Sequence, residues 1–161
     1  MTTLTPCLWF DTEAQEAADF YLTVFPNSRI TETTETTYYG EAGPRPADMV
    51  LTVEFELDGH PFTALNGGPE FSFTMAVSFQ IDCTDQAEVD RYWDALTADG
   101  GQESMCGWLE DKYGLSWQVV PRRLLELLAD PDPGRAQRVL AAMTPMRKIV
   151  ITELEAAADA A

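Results

Sequence analysis

Between positions 106 and 118 the chain sets Cys106, Asp111, Lys112, Tyr113, Ser116 and Gln118 close together, side chains able to react or to grip a ligand. A thiol, a carboxylate/ammonium pair and a phenol supply a nucleophile, an acid/base pair and a proton donor, which is enough for metal-free covalent or acid–base chemistry. Ser116 and Gln118 offer only neutral hydrogen bonds, suited to orienting a polar group. The same stretch also suits a plain aromatic hairpin. Asp111-Lys112-Tyr113-Gly114 reads as a tight turn, with Trp108 before it and Leu115 to Val120 after it in strands. Cross-strand pairs of aromatic side chains stabilise such a hairpin without any chemistry.

The elements that must hold this stretch follow from periodicity. Pro6 to Phe10 is a short apolar strand, and Thr12-Glu13-Ala14-Gln15 matches a capping box opening a helix over residues 13–25. Residues 28–39 are a polar, threonine-rich strand, and Glu41 to Pro46 a loop. Met49 to Leu57 alternates as a half-buried strand, Asp58-Gly59 turns the chain, and Phe62 to Asn66 returns as its partner. Val77, Phe79, Ile81 and Cys83 then alternate, followed by a helix over 85–98 and the hairpin. An offset of 72 residues superimposes Thr12 on Thr84, Ala17 on Val89, Phe20 on Tyr92 and Tyr21 on Trp93, which marks an internal repeat of strand-helix-strand-strand-strand. Residues after Pro121 read as helical segments, broken at Asp130-Pro131-Asp132-Pro133 and at Pro145, that form a cap or arm.

Composition bounds the function classes. The 161 residues carry 27 acidic and 10 basic side chains, a net charge of −17, which disfavours nucleic acid and anionic membrane as partners. No apolar run is long enough for a transmembrane helix and no basic leader precedes the first strand, so the expected compartment is the cytoplasm. Three cysteines without a Cys-x-x-Cys spacing exclude a zinc knuckle and disfavour a disulfide framework. Cys7 and Cys83 sit in apolar runs as small hydrophobes, which leaves Cys106 as the candidate reactive thiol.

Pro6 to Phe10 with Phe20-Tyr21, Asn66-Gly67-Gly68-Pro69, Cys106-Gly107-Trp108 through Pro121, and Asp130-Pro131-Asp132-Pro133 through Ile151 together resemble the vicinal oxygen chelate superfamily of glyoxalase, bleomycin-resistance and dioxygenase proteins. Within it they resemble the PhnB-like branch that carries the label demethylubiquinone methyltransferase domain. The resemblance implies an α+β fold of two βαβββ modules (residues 4–69 and 74–121) around a central cleft, with residues 122–161 as a C-terminal helical extension and a homodimer as the usual assembly. In the metal-using relatives it implies ligands at Pro6, at Ala64 or Asn66, at Ser78 and at Gln118. Proline and alanine have no donor atom, and a serine and amides are poor ligands, so the expectation is no metal and no cofactor. His60, the chain's one histidine, lies in a turn away from these positions. No Gly-x-Gly-x-x-Gly follows a strand, as a methyl donor of the S-adenosylmethionine kind would want.

Three functions remain open. The first is binding of a small organic molecule in the cleft, where alternation puts Pro6, Leu8, Phe10, Phe62, Ala64, Asn66, Ser78, Gln80, Ser116 and Gln118, joined by Cys106 and Trp108 from the hairpin wall. The second is a metal-independent enzyme using Cys106, Asp111, Lys112 and Tyr113, and the third a dimeric interaction module. The catalytic residues are left unassigned.

Overall fold

The computed structural model describes residues 2, 4–35 and 49–160. The loop expected at Glu41 to Pro46 and the end of the threonine-rich strand lie outside the described residues. Two compact units divide the chain, Met1–Ser72 and Phe73–Ala161.

The first unit runs β1 (Cys7–Phe10), α1 (Ala14–Val24), β2 (Arg29–Glu35), β3 (Val50–Leu57) and β4 (His60–Asn66). Its sheet has the order β1-β4-β3-β2, with β1 parallel to β4 and the other pairs antiparallel. Asp58 and Gly59 both take positive φ, 46° and 82°, as a two-residue hairpin between β3 and β4 requires. One sheet face is sealed by α1. Tyr21 stacks on Phe55 with ring centroids 6.3 Å apart, and Phe55 on Phe62 at 5.5 Å. Leu8, Phe10, Val53 and Ala64 are buried with them.

The second unit repeats the order with β5 (Ser78–Cys83), α2 (Gln86–Thr97), β6 (Gln102–Glu103), β7 (Trp108–Glu110) and β8 (Ser116–Pro121). The sheet runs β5-β8-β7-β6, again with one parallel pair, β5 with β8. Here α2 covers Ile81, Cys83, Leu109, Trp117 and Val119, all buried. The Trp93 indole on α2 donates to Glu103 Oε1 at 2.9 Å, which fixes the row Glu103–Leu109–Trp117–Phe79 as the helix-facing row. That bond holds the Glu103 carboxyl below its ordinary pKa. Each module is therefore βαβββ, and the fold is the α+β architecture expected from the repeat.

The two helices start differently. The capping box expected at Thr12 is absent: no side chain of the Thr12–Gln15 stretch caps α1, and Gln15 bonds Asp19 instead. The amide of Ala14 donates to Asn66 Oδ1 from β4 at 2.8 Å. A long-range cap has displaced the local one. In α2 the local cap forms, with the Glu88 amide donating to Asp85 Oδ1 at 2.9 Å and the Glu88 carboxylate accepting from the Thr84 N–H and hydroxyl. Those two bonds lower the Glu88 pKa.

Beyond Pro121 come α3 (Arg122–Leu128), α4 (Pro133–Met143) and α5 (Ile151–Asp159). They belong to the second unit through a cluster of Val120, Leu124, Leu127, Val139, Ile149, Leu154 and Ala158. The link between α4 and α5 is clamped to the hairpin, since the Cys106 amide donates to Met146 O at 2.7 Å and the Gly107 amide to Arg147 O at 2.8 Å. Cys106 adopts φ 58° and Gly107 φ 83° to allow this, and a Cβ on Gly107 would meet Val119 O at 2.8 Å.

Candidate functional site

The face of the second sheet turned away from α2 carries its polar side chains in two rows. Cross-strand register gives one row as Gln102, Glu110, Ser116 and Ser78, and the next as Trp108, Gln118 and Gln80. Ser78, Gln80, Ser116 and Gln118 were expected to share a face, and they do, with Trp108 of the hairpin beside them. Gln118 Nε2 donates to Ser78 Oγ at 2.9 Å. Ser116 is 1% exposed, and its Oγ has no hydrogen-bond partner among the described residues. A buried hydroxyl left unsatisfied costs about 1–3 kcal/mol. Trp117, the next residue, points the other way, and its indole donates to Asp111 Oδ2 at 2.9 Å.

The first sheet corrects the expectation. Leu8, Phe10, Phe62 and Asn66 all lie on the face that α1 covers, and all are buried. They are core, not pocket wall. Asn66 is 2% exposed and spends both ends of its amide on the backbone, accepting from Ala14 N and donating to Val50 O at 2.8 Å. The cause is a single residue. Three residues separate β1 from α1, whereas two separate β5 from α2. The helices superimpose at an offset of 72, yet the core positions of the strands, Leu8 with Ile81 and Phe10 with Cys83, superimpose at 73. Because side chains alternate with period two, that one residue exchanges the faces.

With the strands in register, the positions turned away from α1 are Cys7, Trp9, Glu54, Glu56, Thr63 and Leu65. A groove of about 510 Å³ lies on this face between Thr5, Thr31, Glu54, Glu56, Pro61 and Thr63. These residues went unnoticed in the sequence. The signal that finds them is the buried β1 residue nearest the helix, Phe10, set against Cys83. Glu56 is held by Arg29 at 3.0 Å.

The residues of the enzymatic alternative are engaged in structure. The Asp111 carboxylate, 3% exposed, accepts from the amides of Tyr113 (2.9 Å) and Leu115 (3.1 Å) as well as from Trp117. It pins the β7–β8 turn. The Lys112 ammonium lies 5.2 Å from the centre of the Tyr113 ring. The Cys106 thiol donates to Thr144 O at 3.5 Å in the clamp with the α4–α5 link. Cys106 thus sits among backbone carbonyls of the extension, before β7 begins.

The family described as 3-demethylubiquinone-9 3-methyltransferase matches residues 2–120. The chain belongs to this family. The PhnB protein of Bacillus cereus is 32% identical, and the alignment covers 74% of this chain and 99% of that one with a TM-score of 0.65. A Pseudomonas aeruginosa protein shares the fold at 20% identity and a TM-score of 0.56, covering 75% of this chain and 98% of its own. The fosfomycin resistance protein FosX of Mesorhizobium loti does so at 12% identity and a TM-score of 0.53, covering 81% and 97%. No curated protein matches the chain. The PhnB-like domain thus accounts for both modules, whereas α3, α4 and α5 lie beyond the matched residues.

Two bound groups are implied, a metal by the superfamily and a methyl donor by the family description. Neither fits. In register, the β1 counterpart of Ser78 is Thr5 instead of Pro6, and the β4 counterpart of Gln118 is Thr63 instead of Ala64 or Asn66. Serine, threonine and a neutral amide already bonded to a serine are not a set that holds a divalent transition metal. Among the described residues no three histidine, cysteine or carboxylate side chains are placed to hold one metal ion. For a methyl donor such as S-adenosylmethionine, the strand–helix junctions would have to offer free amides. Ala14, Thr84 and Glu88 amides are taken by Asn66, Glu88 and Asp85.

Proposed function

We propose that this PhnB-like protein binds a small organic molecule on the face of its second sheet turned away from α2, without a metal or cofactor. One observation carries the reading: Gln118 Nε2 donates to Ser78 Oγ at 2.9 Å, which holds a half-buried amide in one orientation on this face. Trp108 supplies an apolar surface on the same face, opposite Gln118. An aromatic wall with a few fixed polar groups is the usual make-up of an organic-ligand site.

Supporting features extend to compartment and assembly. All three cysteines are free, in keeping with a reducing cytoplasm. No helix among the described residues is long and apolar enough to cross a membrane. Leu4, Phe71, Met75 and Val77 are exposed apolar side chains, which a second copy of the chain would cover in a homodimer. Light scattering at micromolar concentration should give twice the 17.9 kDa chain mass.

The binding site is tested with Gln118→Leu. The substitution removes the amide from the ligand face and leaves the helix-facing core intact. Screening by thermal shift should find a ligand whose affinity drops about tenfold in Gln118→Leu, with the unliganded melting temperature nearly unchanged. A ligand bound equally well by both proteins would sink the assignment.

A further inference from the structure

The reading above leaves open what kind of molecule is taken, and the charges around Ser116 bear on it. Glu110 stands directly opposite Ser116 in the β7–β8 register, on the same face, so the two Cβ atoms are about 5 Å apart. Glu110 is half-buried and has no ion-pair partner among the described residues. The face carries one other carboxylate, Asp82, and Arg122 neutralises it at 2.7 Å. No strand position of this face holds a lysine or arginine. Lys112, the basic residue of the hairpin, is in the turn with its ammonium over the Tyr113 ring. Elsewhere in the unit Arg123, Arg135, Arg147 and Lys148 are each committed to carboxylates.

We infer that the ligand of the Gln118 face is a small organic amine, bound as its ammonium ion, and not an oxyanion. The inference rests on the proposed binding site and adds the class of its ligand. Glu110 supplies the compensating charge, and Gln118 Oε1 accepts a hydrogen bond from the ammonium; both side chains are half-buried and within reach of the face. The Trp108 indole, beside Gln118, covers the organic body and attracts a cation through its π face. A phosphonate, phosphate or carboxylate placed beside Gln118 meets Glu110 with no lysine or arginine at a strand position of the face to offset it, and charge of one sign in a half-buried site is costly. The corresponding face of the first sheet has the same sign, with Glu32 paired directly to Glu54.

The test uses two probes that share a benzyl group, benzylamine and benzylphosphonic acid, titrated into the full-length protein by calorimetry at low salt and about pH 7.5, where the amine is protonated. Benzylamine should bind at least about tenfold more tightly than the phosphonate. Glu110→Gln should bring the two within about threefold, and Gln118→Leu should weaken the amine. Phosphonate binding as tight as the amine and lost in Gln118→Leu would overturn the charge assignment and leave the site standing. Amine binding indifferent to both substitutions would overturn the site, and the inference with it. Absence of saturable amine binding up to about 10 mM would overturn the inference as well.

Discussion

The two modules are built from one pattern and are braced in different ways. In the first, aromatic rings stack through the core, and the helix is capped by Asn66 from a strand 52 residues away in sequence. In the second, indoles bond to carboxylates, Trp93 to Glu103 and Trp117 to Asp111, and the helix caps itself with Asp85. The second module also receives three further helices. A repeat thus conserves the order of elements while the polar joints that hold it are reinvented. The module with more internal polar bracing is also the one that buries a hydroxyl, Ser116 Oγ, with no partner among the described residues.

The contrast is broken most severely at Trp117. Trp117→Ala removes a buried indole and strands the Asp111 carboxylate, and should cost about 3–5 kcal/mol in denaturant unfolding. A loss below about 1 kcal/mol would mean the indole–carboxylate joint does not hold the second module. Next in size is the pair of caps. Asn66→Ala leaves the Ala14 amide and the Val50 carbonyl without their partners, and should cost about 2 kcal/mol. Asp85→Ala, exposed and local, should cost about half as much. Equal losses would erase the distinction between a long-range cap and a local one.

A smaller effect is confined to the second module. Burial, reinforced by the Glu88 carboxylate, raises the Cys83 thiol from an ordinary value of 9.0 to about 12. The folded protein keeps that proton where the unfolded chain loses it. The contribution is therefore full below about pH 9 and is lost as pH rises toward 12. Cys83→Ala should flatten the fall in stability between pH 9 and 11, by on the order of 1 kcal/mol per pH unit. Identical slopes for the two proteins would remove the thiol from the account. The smallest effect has the opposite sign. Ser116→Ala deletes the buried hydroxyl and should stabilise the protein by about 1 kcal/mol. A destabilised Ser116→Ala protein would show that the hydroxyl is satisfied within the fold.

Much of this was legible in the chain itself. Alternation over Met49 to Leu57, the Asp58-Gly59 turn and the aromatic pair Phe20-Tyr21 against Tyr92-Trp93 gave the strands, the hairpin and the repeat. Gln118 and Ser78 were placed together correctly, because both belong to the second module and need no comparison with the first. Leu8, Phe10, Phe62 and Asn66 were assigned by carrying the helix offset into the strands, and the extra residue between Phe10 and Ala14 reversed their faces. Helices tolerate such an insertion by moving their start, whereas strands cannot absorb it without exchanging inside for outside. The role of Asn66 was hidden for another reason. A cap that crosses 52 residues leaves no local motif, and Thr12-Glu13-Ala14-Gln15 offered a misleading one.

The clamp between Cys106-Gly107 and Met146-Arg147 has a bearing on how the chain comes off the ribosome. Synthesis delivers the first module whole once Asn66 has emerged, since its last strand is also its cap. The second module cannot close on the same terms, because Val120 and Gly107 wait for Ile149 and Leu154 to cover or meet them. For that interval the nascent chain carries one finished module and one with an open seam, the period in which unsealed apolar surface invites misassociation. A ribosome stalled soon after residue 121 would therefore display a folded first half and a protease-sensitive second, although every residue matched to the family had already been made.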